Sequence, residues 1–116
     1  VAEQTVFEPL EATEAPRTAT GCEIANKYDW NVQIAIAICI AESGGIPTQT
    51  GDNYVINGLY APSCGLFQIR TLVGRPTCEQ LKDPATNVEW AYKISKQGTD
   101  WTPWSVFNNR RYIQFL

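Results

Sequence analysis

The chain contains no histidine and no methionine. Without an imidazole there is no Ser-His or Cys-His catalysis, and a metal site could draw only on thiolates and carboxylates. The four cysteines, Cys22, Cys39, Cys64 and Cys78, form no CxxC pair. A zinc site built from them would need unusually wide spacing, so no metal is expected. Long apolar runs are also lacking. The longest, Ile34 to Ala41, is too short to cross a bilayer, and no signal peptide is visible, so no membrane partner is expected. A basic excess is missing too. Of 12 acids and 9 bases, four glutamates and Arg17 fall in residues 1–20, which leaves residues 21–116 neutral. No basic stripe supports nucleic-acid binding. The chain begins at Val1 rather than Met, which suits a processed or excised piece of a larger chain or assembly.

What is present fits one globular domain. The 116 residues can enclose a single modest core, and 44% apolar with 11% aromatic content argues against disorder. With metal set aside, the even cysteine count implies two disulfides and an oxidising compartment. Four cysteines allow three pairings, and proximity along the chain favours Cys22–Cys39 with Cys64–Cys78.

Residues 1–20, rich in Glu, Thr, Ala and Pro, read as a tail or linker, and residues 21–116 as the domain. "CEIANKYD" suits a short helix. Asn31 then provides an N-cap for a second helix from Val32 to about Glu42. Isoleucines at 34, 36, 38 and 40 follow a period of two, which favours a buried strand. The residues between them are Ala and Cys rather than polar, so a helix here is apolar all round and central. The cap leans towards helix.

Beyond it, Gly44, Gly45, Pro47 and Gly51 break regular structure. Asn57-Gly58 between two β-prone runs predicts a hairpin from Tyr54 to Ala61. Thr77 with Gln80 has the capping-box pattern. Asp83-Pro84 starts a longer helix, with Val88, Ala91, Tyr92 and Ser95 as its inner face and Gly98 as its stop. Thr102-Pro103 repeats the start signal, and "RRYIQFL" reads as a closing helix. The fold class expected is mainly α (α+β), with one small hairpin.

The stretch "AIAICIAESGG" runs a near-uncharged segment into Glu42. An acid at the end of a buried helix is desolvated, which raises its pKa and keeps it protonated near neutral pH. A carboxylic acid held neutral can protonate a glycosidic oxygen. The alternative is a helix-terminal Glu bonded to a nearby turn.

Three segments occur together in one order: "AESGG" at 41–45, "CGLFQI" at 64–69 and "DPATNVEWA" at 83–91. They resemble the Glu-Ser, Gly-Leu-Met-Gln and Asn-containing helix motifs of soluble-lytic-transglycosylase-type domains, which belong with goose-type lysozyme in the lysozyme-like fold. "DWTPWSVFNNRRYIQFL" resembles the closing segment of phage and actinobacterial versions. The resemblance spans about residues 21–116. It implies a lysozyme-like fold with a small β-hairpin at the cleft and no cofactor. It also implies cleavage of peptidoglycan glycan strands between N-acetylmuramic acid and N-acetylglucosamine, outside the cytoplasm or from a phage virion. Glu42 matches the family's catalytic acid, which then serves as base while the muramic acid's own hydroxymethyl group closes an anhydro ring.

Gln68 matches a cleft-lining amide, against a plain surface amide; Gly65 permits a close approach to sugar or only makes the turn. Ser43 is placed to orient Glu42 or to cap the helix end. In "VFNNRRY", where the family carries Ala-Tyr-Asn-Ala-Gly, Phe107 replaces the Tyr and Asn109 the Ala. Asn108 matches the Asn, and Tyr112 would supply the phenol from a shifted position. Of four tryptophans, Trp104 is the one assigned to sugar stacking, the rest to core. Arg110 and Arg111 read as an exposed pair at a helix start, with muramyl carboxylates as an alternative contact. Asp52 is the candidate second acid for a hydrolytic mechanism, against a plain turn residue in "TGDN". A non-catalytic glycan-binding or structural module is the reading from a different class.

Overall fold

The computed structural model describes residues 21–51, 55–56 and 58–116. Asp52 and the hairpin's Asn57 therefore lie outside the described residues, as does the expected tail. The described chain is mainly helical, with two short antiparallel strand pairs.

A 3-10 helix, Gly21–Lys27, leads into α1, Val32–Ser43. Asn31 caps α1 in extended backbone, its Oδ1 accepting from the Ile34 N–H at 3.1 Å. The cap resolves the ambiguity of the isoleucine run. Ala35, Ala37, Ile38 and Cys39 are buried, while Ile34, Ile36 and Ile40 pack half-buried around them. α1 packs against the opening 3-10 helix, α4 (Ser105–Asn108) and a closing 3-10 helix (Arg111–Phe115), so it meets protein on several sides. A helix so surrounded has no need of a polar stripe. At its end Gly44 turns left-handed at φ 66°, its N–H bonded to the Ile40 carbonyl at 2.8 Å.

The predicted hairpin is present as β1 (Val55–Ile56) paired with β2 (Leu59–Tyr60). A second pair, β3 (Ser63–Cys64) with β4 (Ile69–Arg70), brackets a tight turn of four residues, 65–68. The segment before β1 lies along β3, with Thr50 bridging Cys64 and the Gly51 N–H on the Ser63 carbonyl at 2.7 Å.

α2 (Cys78–Leu81) carries both halves of the capping box between Thr77 and Gln80. α3 (Pro84–Ile94) starts at Asp83, whose Oδ2 accepts from the Thr86 N–H and hydroxyl. It ends four residues before Gly98. Ser95 caps it, and Lys96 and Gln97 already have positive φ, so the reversal begins before the glycine is reached.

The closing segment differs more. Asp100 accepts from the Thr102 N–H and hydroxyl, a local turn that uses Thr102 before any helix starts. α4 begins only at Ser105, and left-handed Arg110 separates it from the final 3-10 turn, so "RRYIQFL" is not an α-helix.

Disulfides Cys22–Cys39 and Cys64–Cys78 tie the first 3-10 helix to α1, and β3 to α2. The core gathers Trp30, Phe67, Trp101 and Trp104, with neighbouring ring centroids 5.2–6.4 Å apart. Of the three buried indoles, Trp30 donates its N–H to the Ala25 carbonyl and Trp104 to the Phe67 carbonyl, each at 2.9 Å. No helix among the described residues is long and apolar enough to cross a membrane.

Candidate active site

A cleft of about 620 Å³ brings together the end of α1, the β3–β4 pair and the segment entering α4. Glu42 reaches it from the last turn of α1, half-buried. Ile69, Leu72 and Ile94 supply apolar wall. The α1 isoleucines are not among the lining residues. The apolar wall of the cleft is therefore built by β4, the loop after it and α3, while the isoleucine run packs α1 against the core.

The residues flanking Glu42 fix the helix end. Ser43 is buried; its hydroxyl donates to the Cys39 carbonyl and accepts from the Gly45 N–H, each at 3.1 Å. The Gly45 carbonyl in turn accepts from the Gly21 N–H at 2.9 Å. Of the two roles considered for Ser43, the geometry displays the helix-end bonds, and these locate the backbone from which Glu42 projects.

Gln68 faces the same cleft from the β3–β4 turn, in left-handed backbone at φ 49°. Its Nε2 donates to the Gln49 carbonyl at 3.0 Å and to the Gly65 carbonyl at 2.9 Å, so both amide hydrogens are committed to backbone. Its Oε1 sits so close to Gly51 that a Cβ there would lie 2.1 Å away. The carbonyl oxygen is the atom left for a ligand's hydroxyl or amide N–H.

Gly65 is the buried first residue of the turn and does not line the cleft. Its φ is 83°, and a Cβ would fall 2.1 Å from Asn87 Nδ2 and 2.3 Å from the Leu81 carbonyl oxygen. The close approach that requires glycine here is to Asn87 of α3.

Asn87 is the residue the sequence reading passed over. Fully buried, it accepts from the Phe67 N–H at 2.8 Å and donates to the Cys64 carbonyl at 2.8 Å and the Leu81 carbonyl at 3.0 Å. One side chain thus fastens the turn that presents Gln68. The Asn sat inside the "DPATNVEWA" motif, which was its only signal.

Trp104 lines the cleft but is only 4% exposed, its indole packed on Phe67 and Trp101. Little ring face remains for stacking a sugar. Asn108 is exposed and donates to the Thr102 carbonyl at 2.8 Å. Tyr112 stacks on Phe107 with centroids 5.2 Å apart. Neither Asn108 nor Tyr112 is among the cleft-lining residues. The structure therefore brings Glu42, Gln68 and Trp104 to one cavity and leaves Ser43, Gly65, Asn108 and Tyr112 outside its lining.

Arg70 and Arg75 also line the cleft, and nothing in the sequence pattern marked them. Burial, and then the positive charge of Arg70, hold the Arg75 guanidinium below the usual arginine range. Among the described residues no group of His, Cys, Asp and Glu is arranged to hold a metal ion.

Comparison with known proteins gives one family. A family model described as a lysozyme-like domain matches residues 19–106, most of the chain, and covers Glu42, Gln68 and Asn87. Searches of curated proteins and of solved structures gave no significant match.

Proposed function

Because the chain belongs to the lysozyme-like domain family, we propose that it is a glycosidase that cleaves peptidoglycan glycan strands as a lytic transglycosylase, with Glu42 as general acid and then base. The observation that carries the reading is the meeting of Glu42 and Gln68 across one cleft within the family-matched segment.

Glu42 would give its proton to the oxygen joining C1 of N-acetylmuramic acid to N-acetylglucosamine as that bond breaks. The muramic acid's O6 then bonds to C1, and its proton returns to the Glu42 carboxylate. One carboxyl performs both transfers, so the ring-closing route needs no second acid. Gln68 contributes an acceptor, its Oε1, fixed by two bonds from its own amide nitrogen. A rigid acceptor positions a sugar without paying for side-chain ordering at binding.

The two disulfides suit an oxidising compartment, and peptidoglycan lies outside the cytoplasm. An extracytoplasmic or virion-borne domain follows from the two together. Hydrolysis assisted by Asp52, or by another acid, is the competing chemistry. Mass spectrometry of fragments from digested sacculi distinguishes the two. Anhydromuramic ends are expected, whereas reducing muramic ends would replace the transglycosylase reading with hydrolysis. Intact strands would count for a non-catalytic module.

A further inference from the structure

Arg75 is a cation set into the cleft that Glu42 also lines. Its Nη1 donates to the Arg70 carbonyl at 3.3 Å, its one hydrogen bond from the guanidinium. No carboxylate among the described residues lies within ion-pair distance of Arg75. Arginine stays charged despite such surroundings, and four of its five N–H donors remain for other partners.

The loop presenting it is held by its own bonds. The Leu72 N–H reaches the Arg70 carbonyl at 2.9 Å and the Arg75 N–H reaches the Leu72 carbonyl at 3.0 Å. Thr71 anchors the loop's start on the Pro62 carbonyl through both its N–H and its hydroxyl. Arg70 shares the lining and has Nη1 on the Ala61 carbonyl at 2.9 Å. Arg70 and Arg75 raise the positive potential along one side of a cavity that Glu42 also lines. Arg110 and Arg111, the basic pair considered from sequence, are exposed and do not line the cleft.

Resting on the reading of the cleft as a peptidoglycan site, we infer that Arg75 binds a carboxylate carried by the glycan strand, with Arg70 supplying the second positive charge. The domain would then select strands by their anionic substituents as well as by their sugars. Two carboxylates on a muramic acid unit share this chemistry: the lactyl group, exposed where the peptide has been removed, and the acids of the stem peptide.

The test is co-sedimentation of the wild-type protein with three probes: native sacculi, sacculi whose carboxyls have been converted to amides, and amidase-stripped glycan strands. Native sacculi should bind about tenfold more tightly than the amidated ones, the scale of one charge-assisted hydrogen bond. Arg75→Gln should erase that difference while keeping the affinity for amidated sacculi, and Arg75→Lys should retain part of it. Stronger binding to stripped strands assigns the lactyl carboxylate; stronger binding to peptide-bearing ones assigns the stem.

Equal binding of wild-type protein to native and amidated sacculi overturns the inference, as does a preference that survives Arg75→Gln. The wild-type comparison needs no variant, so it decides the matter even if Arg75→Gln fails to fold. A carboxylate preference without any strand cleavage would refute the glycosidase reading and leave the subsite standing. Cleavage without the preference would do the reverse.

Discussion

Asn87 shows how one buried amide can govern a site it does not touch. It satisfies one backbone donor and two backbone acceptors around the β3–β4 turn. Asn87→Ala would strip the buried Phe67 N–H of its partner and take one bond from each of the Cys64 and Leu81 carbonyls. At about 1–3 kcal/mol for an unsatisfied group, a loss of about 2 kcal/mol or more is expected in urea unfolding at neutral pH. A loss under about 1 kcal/mol would mean that the turn keeps its shape without the side chain. From the sequence alone Asn87 was a polar residue on a helix, and nothing said that its helix would lie against the 65–68 turn. For Gly65 the turn was readable, but its close approach to Asn87 was hidden for the same reason. Its neighbour in space is twenty-two positions away in the chain, so the contact that demands glycine belongs to the tertiary structure. That Glu42 and Gln68 would meet at one cleft was legible because short motifs carried them.

Elements with local start signals were legible to within a residue or so. Asn31 settled α1 where the isoleucine period pointed to a strand, and Thr77 and Asp83 did the same for α2 and α3. Signals failed where a competing local bond took the capping residue, as Asp100 took Thr102. The α3 cap also makes a pH prediction. The Thr86 N–H and hydroxyl, both donating to Asp83, hold its carboxyl below its ordinary value of 3.8. A depressed carboxyl stabilises the fold above its unfolded value, and that contribution disappears as pH falls through the lower folded value. Wild-type stability should therefore fall on acidification below about pH 4, and Asp83→Asn should remove part of that slope. Denaturant midpoints measured across that range check it, and identical slopes for the two proteins would remove Asp83 from the account.

At the scale of the molecule, α1 is the axis on which the rest is hung. The Cys22–Cys39 bridge fixes its third turn, and the opening and closing 3-10 helices and α4 pack along it. The Cys64–Cys78 bridge ties the turn that carries Gln68 to the cap of α2. Both sides of the cleft are thereby tied covalently, which suits the proposed role of holding a sugar against a proton donor. The mainly helical class was readable from the cap signals. The second strand pair was not, because strands of two residues leave no periodicity to read.

The proposed reaction depends on the proton of Glu42. Sacculus digestion by the wild-type protein should be compared with digestion by Glu42→Gln, whose amide keeps the shape of the side chain without an acidic proton. The variant should unfold at an unchanged temperature and still sediment with sacculi, yet release soluble fragments at least about a hundredfold more slowly, as loss of a general acid predicts. Release at near wild-type rate would contradict the assignment of Glu42 and the mechanism built on it.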